Sequence, residues 1–453
     1  MTASNDTTSQ NLTTTLVTAA LTASSNGRIY GWVNQPNSRG TMDILWACLF
    51  TIFICTYVML CLNVPATSEG MWRFIGRKLF WMGIALIGPE FVLTVASGQW
   101  NAARESVILF HESGYKQWTI RHGFFADMGG FLLVPSDGTP PFPIASKHLH
   151  WLVTHNYLEF PEVTKEEMED KSKQDKFAKF ITLFQAGYLV LQCIGRAAQR
   201  LAVTTLELFS LAIVVCSFLT AWCWLHKPLD VGTPIKLPLR TSIEEILQAA
   251  SGEGAVVDDW QQTPLDFIED FRPSWNLNVQ AFMHLKIPTT RPISRIGNDS
   301  FPDLNGYQGY LCVATLGYAA IHLAGWNLTF PSKIELILWR VSSMFLFGTT
   351  AVFWIFEKAA AWHRNGRWQR MFFRVFKPKR AGVAMMDKAV AEREGKRLRK
   401  DLPLPFEFWS ILPLAILYGV ARLYLIVEVF LGLRELELSA YLNVDWSEYL
   451  PHV

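Results

Sequence analysis

Residues 44–62, ILWACLFTIFICTYVMLCL, contain no charged side chain. A helix needs about 20 consecutive apolar residues to cross a bilayer, so this stretch decides the class of the molecule. The rest of the composition agrees with it. Half of the 453 residues are hydrophobic, only 18% are charged, and 18 Trp and 31 Phe suit a chain with two lipid–water interfaces to anchor. The expected fold is an all-α membrane protein, a polytopic bundle of six to seven transmembrane helices with two polar extramembrane regions.

Upstream of that stretch, residues 1–43 form a polar tail rich in Thr, Ser, Ala and Asn. It has neither a basic n-region nor a continuous apolar core, so it does not read as a signal peptide. Sequons at Asn5 and Asn11 mark candidate N-glycosylation sites and fit a lumenal or extracellular face.

Downstream, WRFIGRK supplies Arg73, Arg77 and Lys78 ahead of a second apolar stretch, Leu79–Ala96, charged only at Glu90 and carrying Pro89 in mid-span. Residues 44–97 thus read as a first transmembrane hairpin. Short basic loops stay cytoplasmic, which sets the tail before it outside. Residues 98–179 are polar, broken by Gly and Pro near Pro135–Pro143, and end in a charged segment that reads as a solvent-facing helix.

Residues 180–225 hold a short apolar stretch, Phe180–Ile194, then GRAAQR, then a clear span at Leu201–Leu225. A second polar region covers 226–308, a further hairpin 309–357, and a basic segment 358–407. The last span is 408–433, interrupted by Arg422 and Glu428, followed by a tail to residue 453. The count turns on Phe180–Ile194. If it crosses, there are seven spans and the basic segment lands on the wrong side. If it is re-entrant or interfacial, six spans satisfy both basic loops, and this is the reading we favour.

The seven cysteines all lie in or beside apolar stretches without a C-x-x-C pair, which suggests neither a zinc site nor a disulfide framework. No Walker loop, dinucleotide fingerprint, zincin motif or nucleophile elbow is present, so no cofactor and no metal are expected. His148 and His150 in KHLHWLVTH would suit a metal site only on a strand, and no acidic or Cys ligand follows at ligand spacing. The basic segment after Lys358, with its interleaved Trp and Phe residues, reads as a contact with anionic lipid rather than with nucleic acid.

Several long phrases carry a resemblance. GWVNQPNSRGTMDILWACLFTIFICTYVMLCLNVP, GPEFVLTVASGQWNAAR, WTIRHGFFADMGGF, FAKFITLFQAGYLVLQCIGRAAQRLAVTTLELFSLA, WLHKPLDV and ARLYLIVEVFLGLRELELSAYLNVDWSEYLPHV together resemble an uncharacterised family of multi-pass membrane proteins of filamentous fungi. The resemblance implies a fungal membrane protein and brings no substrate or site residue with it.

Candidate functional residues are the ionisable groups inside apolar stretches, where charge is expensive and faces a bundle interior, a partner or a cavity. Glu90, Glu207, Arg422 and Glu428 are such groups. The six-residue separation of Arg422 and Glu428 sets them on different helix faces, so Arg422 is expected to meet Glu90 or Glu207 from another helix. Pro89 frees a carbonyl near Glu90 that needs a partner.

In RHGFFADMGGF, His122 and Asp127 offer an acid/base pair beside a Gly129–Gly130 turn, and Gln99 and Arg104 could point into the same mouth. A buried ion pair that only fixes helix register is the blander alternative. Three readings follow: an enzyme of isomerase or cyclase type acting on a lipophilic small molecule through Glu90, His122, Asp127 and Arg422; a transporter or channel lined by the same residues; or a scaffold without catalysis.

Overall fold

The computed structural model describes residues 27–34, 39–164, 167–168, 175–252, 260, 262–268, 291–298, 308–364 and 405–446. The sequons at Asn5 and Asn11, most of the basic segment after Lys358 and parts of both polar regions lie outside the described residues.

The bundle is built from α1 (Thr41–Phe53, continued by a π-turn at Ile54–Val58), α2 (Met71–Ile87), α3 (Pro89–Glu112), α6 (Asp175–Ala198), α7 (Thr205–Cys223), α9 (Gln308–Ala324), α10 (Lys333–Arg364) and α11 (Pro405–Leu431). Five stretches are long and apolar enough to cross a membrane: Thr41–Val58, Lys179–Ala198, Thr205–Cys223, Lys333–Ala359 and Ile411–Arg434. Large apolar side chains such as Trp46, Phe50, Phe184, Leu191, Phe345 and Leu423 are exposed on their outer faces. An apolar surface that extensive is foreign to a water-facing monomer.

Two apolar stretches have helix boundaries that differ from the expectation. Leu79–Ala96 is not one kinked helix. The axes of α2 and α3 diverge by 113° at Gly88. Pro89 has no N–H to continue α2 and would clash with the turn before it, whereas its fixed φ suits the first position of a new helix. Gly88 leaves the helical region at φ −141°, ψ 73° and donates its N–H to Ile84 O at 2.7 Å. Pro89 therefore starts a helix instead of bending one.

Phe180–Ile194, in contrast, belongs to the continuous α6, of which Lys179–Ala198 is long and apolar enough to cross. Its flanking charges cap backbone at both ends. Lys179 Nζ donates to Trp224 O at 3.2 Å and Lys227 O at 2.9 Å. Arg196, 1% exposed, donates to Ala202 O, Ser439 O and Leu442 O at 2.7–2.9 Å. Arg196 is thus a buried clasp, while Arg200 lies past the helix end at φ +57°.

The chain is not all-α. A three-stranded sheet of β2 (Phe131–Val134), β3 (Phe142–Ile144) and β4 (Ile235–Pro238) has the order β3-β2-β4. β2 pairs antiparallel with β3 and parallel with β4, with Phe131 opposite both Ile144 and Ile235. These strands of three or four residues are too short for an alternating pattern to show, and Pro and Gly between them read as loop. The sheet joins the two polar regions into one body with α4 (Ile120–Asp127), α5 (Ser146–Thr154) and α8 (Ile243–Gly252). Its own core includes Phe110, Trp118, Phe125, Phe131, Leu149 and Ile246. Gly129 at φ +85° makes the turn into β2, a left-handed conformation that glycine adopts without steric cost.

At the other end of the bundle, β1 (Arg28–Tyr30) pairs antiparallel with β5 (Glu435–Glu437), and Arg28 Nη1 meets Glu435 Oε1 at 3.0 Å. The α2–α3 pair leaves from and returns to the sheet end. Val64 ahead of it and Trp118 beyond it share the sheet's core, and Val64 N–H donates to Met128 O at 2.9 Å.

Candidate functional site

The break at Gly88 creates the polar centre of the bundle. A helix leaves its last carbonyls without intrahelical donors, and here they point at α11. Arg422 Nη2 donates to Leu86 O at 3.2 Å, and the Tyr418 hydroxyl donates to Ile87 O at 3.3 Å and to Glu90 Oε1. Two of the carbonyls at the end of α2, Leu86 O and Ile87 O, thus find donors within the protein.

Tyr418 and Arg422 are four residues apart on α11, as are Tyr318 and His322 on α9, so each pair shares a helix face. Arg422, fully buried, donates from Nη1 to His322 Nε2 at 2.7 Å. An arginine can only donate, so Nε2 accepts and the proton sits on Nδ1. That Nδ1–H faces Tyr318 O at 3.3 Å. The guanidinium carbon stands 4.2 Å from the Phe209 ring centre and 5.3 Å from that of Tyr318. Two aromatic faces take much of the place of water around this cation. α10 holds the backbone beneath, with Trp339 Nε1 and Ser343 Oγ both donating to His322 O.

Arg422 makes no ion pair among the described residues, although Glu90 is within electrostatic reach. Two atoms of the centre, Glu90 Oε2 and Arg422 Nε, are buried without a hydrogen-bond partner, and the Tyr318 hydroxyl faces that of Tyr418. Beside the centre runs a narrow cleft lined among others by Cys55, Met59, Pro89, Cys216, Thr220 and Trp224. Pro89 brings one end of it next to Glu90.

At the far end, Trp224 Nε1 donates to Gln99 Oε1 at 2.9 Å. Gln99 Oε1 also accepts from Lys227 Nζ at 2.8 Å, which donates to Asn63 Oδ1 at 3.0 Å. Burial lowers the Lys227 ammonium to about 8. Sequence reasoning passed over Lys227, because in LHKPLD it looks like an ordinary loop residue.

The other expected residues lie elsewhere. His122 sits in the core of the sheet body. Its Nε2–H donates to Val163 O at 2.9 Å, and Nδ1 accepts from Thr119 N–H and Oγ1–H at the start of α4. Asp127 Oδ1 accepts from Ser146 N–H at 2.8 Å, ahead of α5. Neither residue is brought to Glu90. Arg104 is exposed over the Trp100 ring. Glu207 pairs with Arg39 and caps α7, accepting from Thr204 N–H and Oγ1–H. It does not meet Arg422. Glu428 accepts from the Tyr424 hydroxyl at 3.1 Å and, as its spacing requires, does not pair with Arg422. His148 and His150 lie on α5, not on a strand.

Among known proteins, the match is to a family model described as a family of unknown function (DUF8562), over residues 12–251 and 304–453. No curated protein and no solved structure matches the chain.

Proposed function

The chain belongs to this family of unknown function, and on its own geometry we propose a polytopic membrane protein whose cleft beside Glu90 receives a lipophilic small molecule and exchanges a proton with it. The observation that carries the reading is the pair of unpartnered atoms Glu90 Oε2 and Arg422 Nε, buried at the polar centre beside a cleft that Pro89 lines. Leaving a buried polar group unsatisfied costs about 1–3 kcal/mol each. The polar end of a ligand would relieve that cost, and apolar walls such as Met59 and Trp224 suit its remainder.

In this reading Glu90, held through Oε1 by Tyr418, takes a proton at Oε2 from a carbon next to a ligand carbonyl. Tyr318 O–H and Arg422 Nε–H donate to the carbonyl oxygen as negative charge gathers there. For a ligand with a carbon–carbon double bond beginning one carbon beyond the one that lost the proton, Glu90 then returns the proton to the far carbon of that double bond, which moves into conjugation with the carbonyl, and no oxidant or reductant is consumed. The outcome is an isomerisation.

This reading counts six crossings: the five long apolar stretches of α1, α6, α7, α10 and α11 together with the shorter α9, with the bent α2–α3 pair taken as re-entrant. Pairing of β1 with β5 calls for an even number, because the chain enters α1 and leaves α11 at the same end. The basic segment then falls on the face of the three-stranded sheet, where the excess of Lys and Arg marks the cytoplasm.

The test uses a host lacking the gene, complemented with wild type, Glu90→Gln or Tyr418→Phe, with lipid extracts profiled by liquid chromatography and mass spectrometry. Wild type should convert a lipophilic compound that accumulates in the deletion strain into its isomer of equal mass, and both variants should lower that conversion about a hundredfold, within the usual range for loss of a general base. Full restoration by both variants, at equal protein level, would remove the proton-transfer reading.

A further inference from the structure

Independently of the cleft, we propose that Arg77 and Arg295 form a binding site for a phosphate group at the sheet end of the bundle. Arg77 is on α2, and its side chain is 9% exposed. Nη1 donates to Glu69 Oε2 at 3.0 Å, while Nε and Nη2 are buried without a partner. Arg295 Nη1 is likewise buried without a partner. The two arginines are near enough for their charges to act on each other.

The framework that brings them together is built. Asn63 Nδ2 donates to Gly297 O at 2.9 Å, tying the 291–298 segment to the loop ahead of α2. Ala66 N–H and Arg77 both donate to Glu69 Oε2. Ile296 is buried beside the Gly129 turn.

Two guanidiniums and one carboxylate leave an uncompensated positive charge in a place largely closed to water. Like charges held together at a cost are the mark of a site completed by an anion. Three unmet guanidinium nitrogens, from two side chains on different segments, favour a tetrahedral oxyanion over a flat carboxylate. Arginine forks match phosphate geometry in pairs of bonds.

The exposed side of α2 points to the source of that phosphate. Met71, Trp72, Leu79 and Phe80 are exposed and recur at helical spacing as one apolar stripe. α2 enters the bundle from the sheet end and Arg77 stands in its second turn, about 9 Å along the helix, which sets the arginine near headgroup height while the stripe faces lipid. A free phosphate would use the same atoms.

The experiment compares the purified full chain and its variants in phosphatidylcholine nanodiscs doped with phosphatidic acid. Retained lipid is read by native mass spectrometry, with a parallel thermal-shift titration of inorganic phosphate. Arg77→Gln and Arg295→Gln should each weaken retention about tenfold or more, as expected for loss of a charge-assisted hydrogen bond. Arg200→Gln at the opposite end should leave it unchanged, and Arg295→Lys should restore only part of it. Should Arg77→Gln fail to fold, Arg295→Gln decides. Phosphate stabilising wild type but not Arg295→Gln, with no lipid retained, would keep the site and make its ligand soluble. Equal retention of phosphatidic acid and equal stabilisation by phosphate in wild type and Arg295→Gln would overturn the proposal.

Discussion

Single residues divide by how local their partners are. Glu90 and Arg422 stand out as ionisable groups in apolar stretches, and both stand at the polar centre, Arg422 buried and Glu90 half-buried. Their partners are four apart on α9 and on α11, but which helices meet is a long-range matter that spacing alone does not fix. Glu207 could have been read locally: Thr204-x-x-Glu207 ahead of an apolar run is a capping-box signature, and the observed bonds follow it. His122 is the same kind of residue. With Nδ1 facing Thr119 and Nε2 facing Val163 O, it has the work of a cap. Burial is the main cause of its lowered pKa; the Arg121 charge adds to the shift, and the Val163 carbonyl opposes it. The folded protein then resists protonating His122 while the unfolded chain accepts a proton near 6.5. Stability is full above that value and falls as pH drops from 6.5 to the lowered folded value. Thermal midpoints between pH 8 and 5 should therefore fall more steeply for wild type than for His122→Gln. Parallel slopes would contradict this account of His122.

Elements were legible where hydropathy and length agreed and illegible where a charge was spent on backbone. Residues 180–194 look short only because Lys179 and Arg196 count against them, yet both are consumed by carbonyls at the helix ends. Conversely, Leu79–Ala96 looks long because hydropathy cannot see the 113° turn that Gly88-Pro89 makes. The strands stayed hidden because β2 and β4 pair across a hundred residues of intervening chain. A crossing α6 makes a definite prediction at Leu191, which is exposed on its outer face. Leu191→Arg would put a charge among lipid chains at about 2.5–3.5 kcal/mol near the bilayer centre. Insertion of residues 175–200 in a membrane-integration reporter should fall by more than tenfold, whereas Leu191→Ala should have little effect. An α6 lying at the interface would tolerate the arginine, and undiminished insertion would exclude the crossing.

At the scale of the molecule, three separate contacts constrain one topology. β1 pairs with β5, so the chain enters α1 and leaves α11 at one end. Val64 and Trp118 share one core, so α2 and α3 depart from and return to the other end. β2 pairs with β4, so the α6–α7 hairpin also returns to where it started. A continuous crossing by α2–α3 would satisfy none of the first two, since it would carry Trp118 away from Val64 and make the total odd. Single cysteines in an otherwise cysteine-free chain test all three at once with a membrane-impermeant maleimide on sealed vesicles. Tyr30→Cys and Leu442→Cys, both exposed beside the β1–β5 end, should label from one side. Ser136→Cys and Lys236→Cys, exposed on the three-stranded sheet, should label only from the other, together with the basic segment. Labelling of Tyr30→Cys and Leu442→Cys from opposite sides would require an odd number of crossings, and the re-entrant α2–α3 that shapes the Glu90 centre would fall with it.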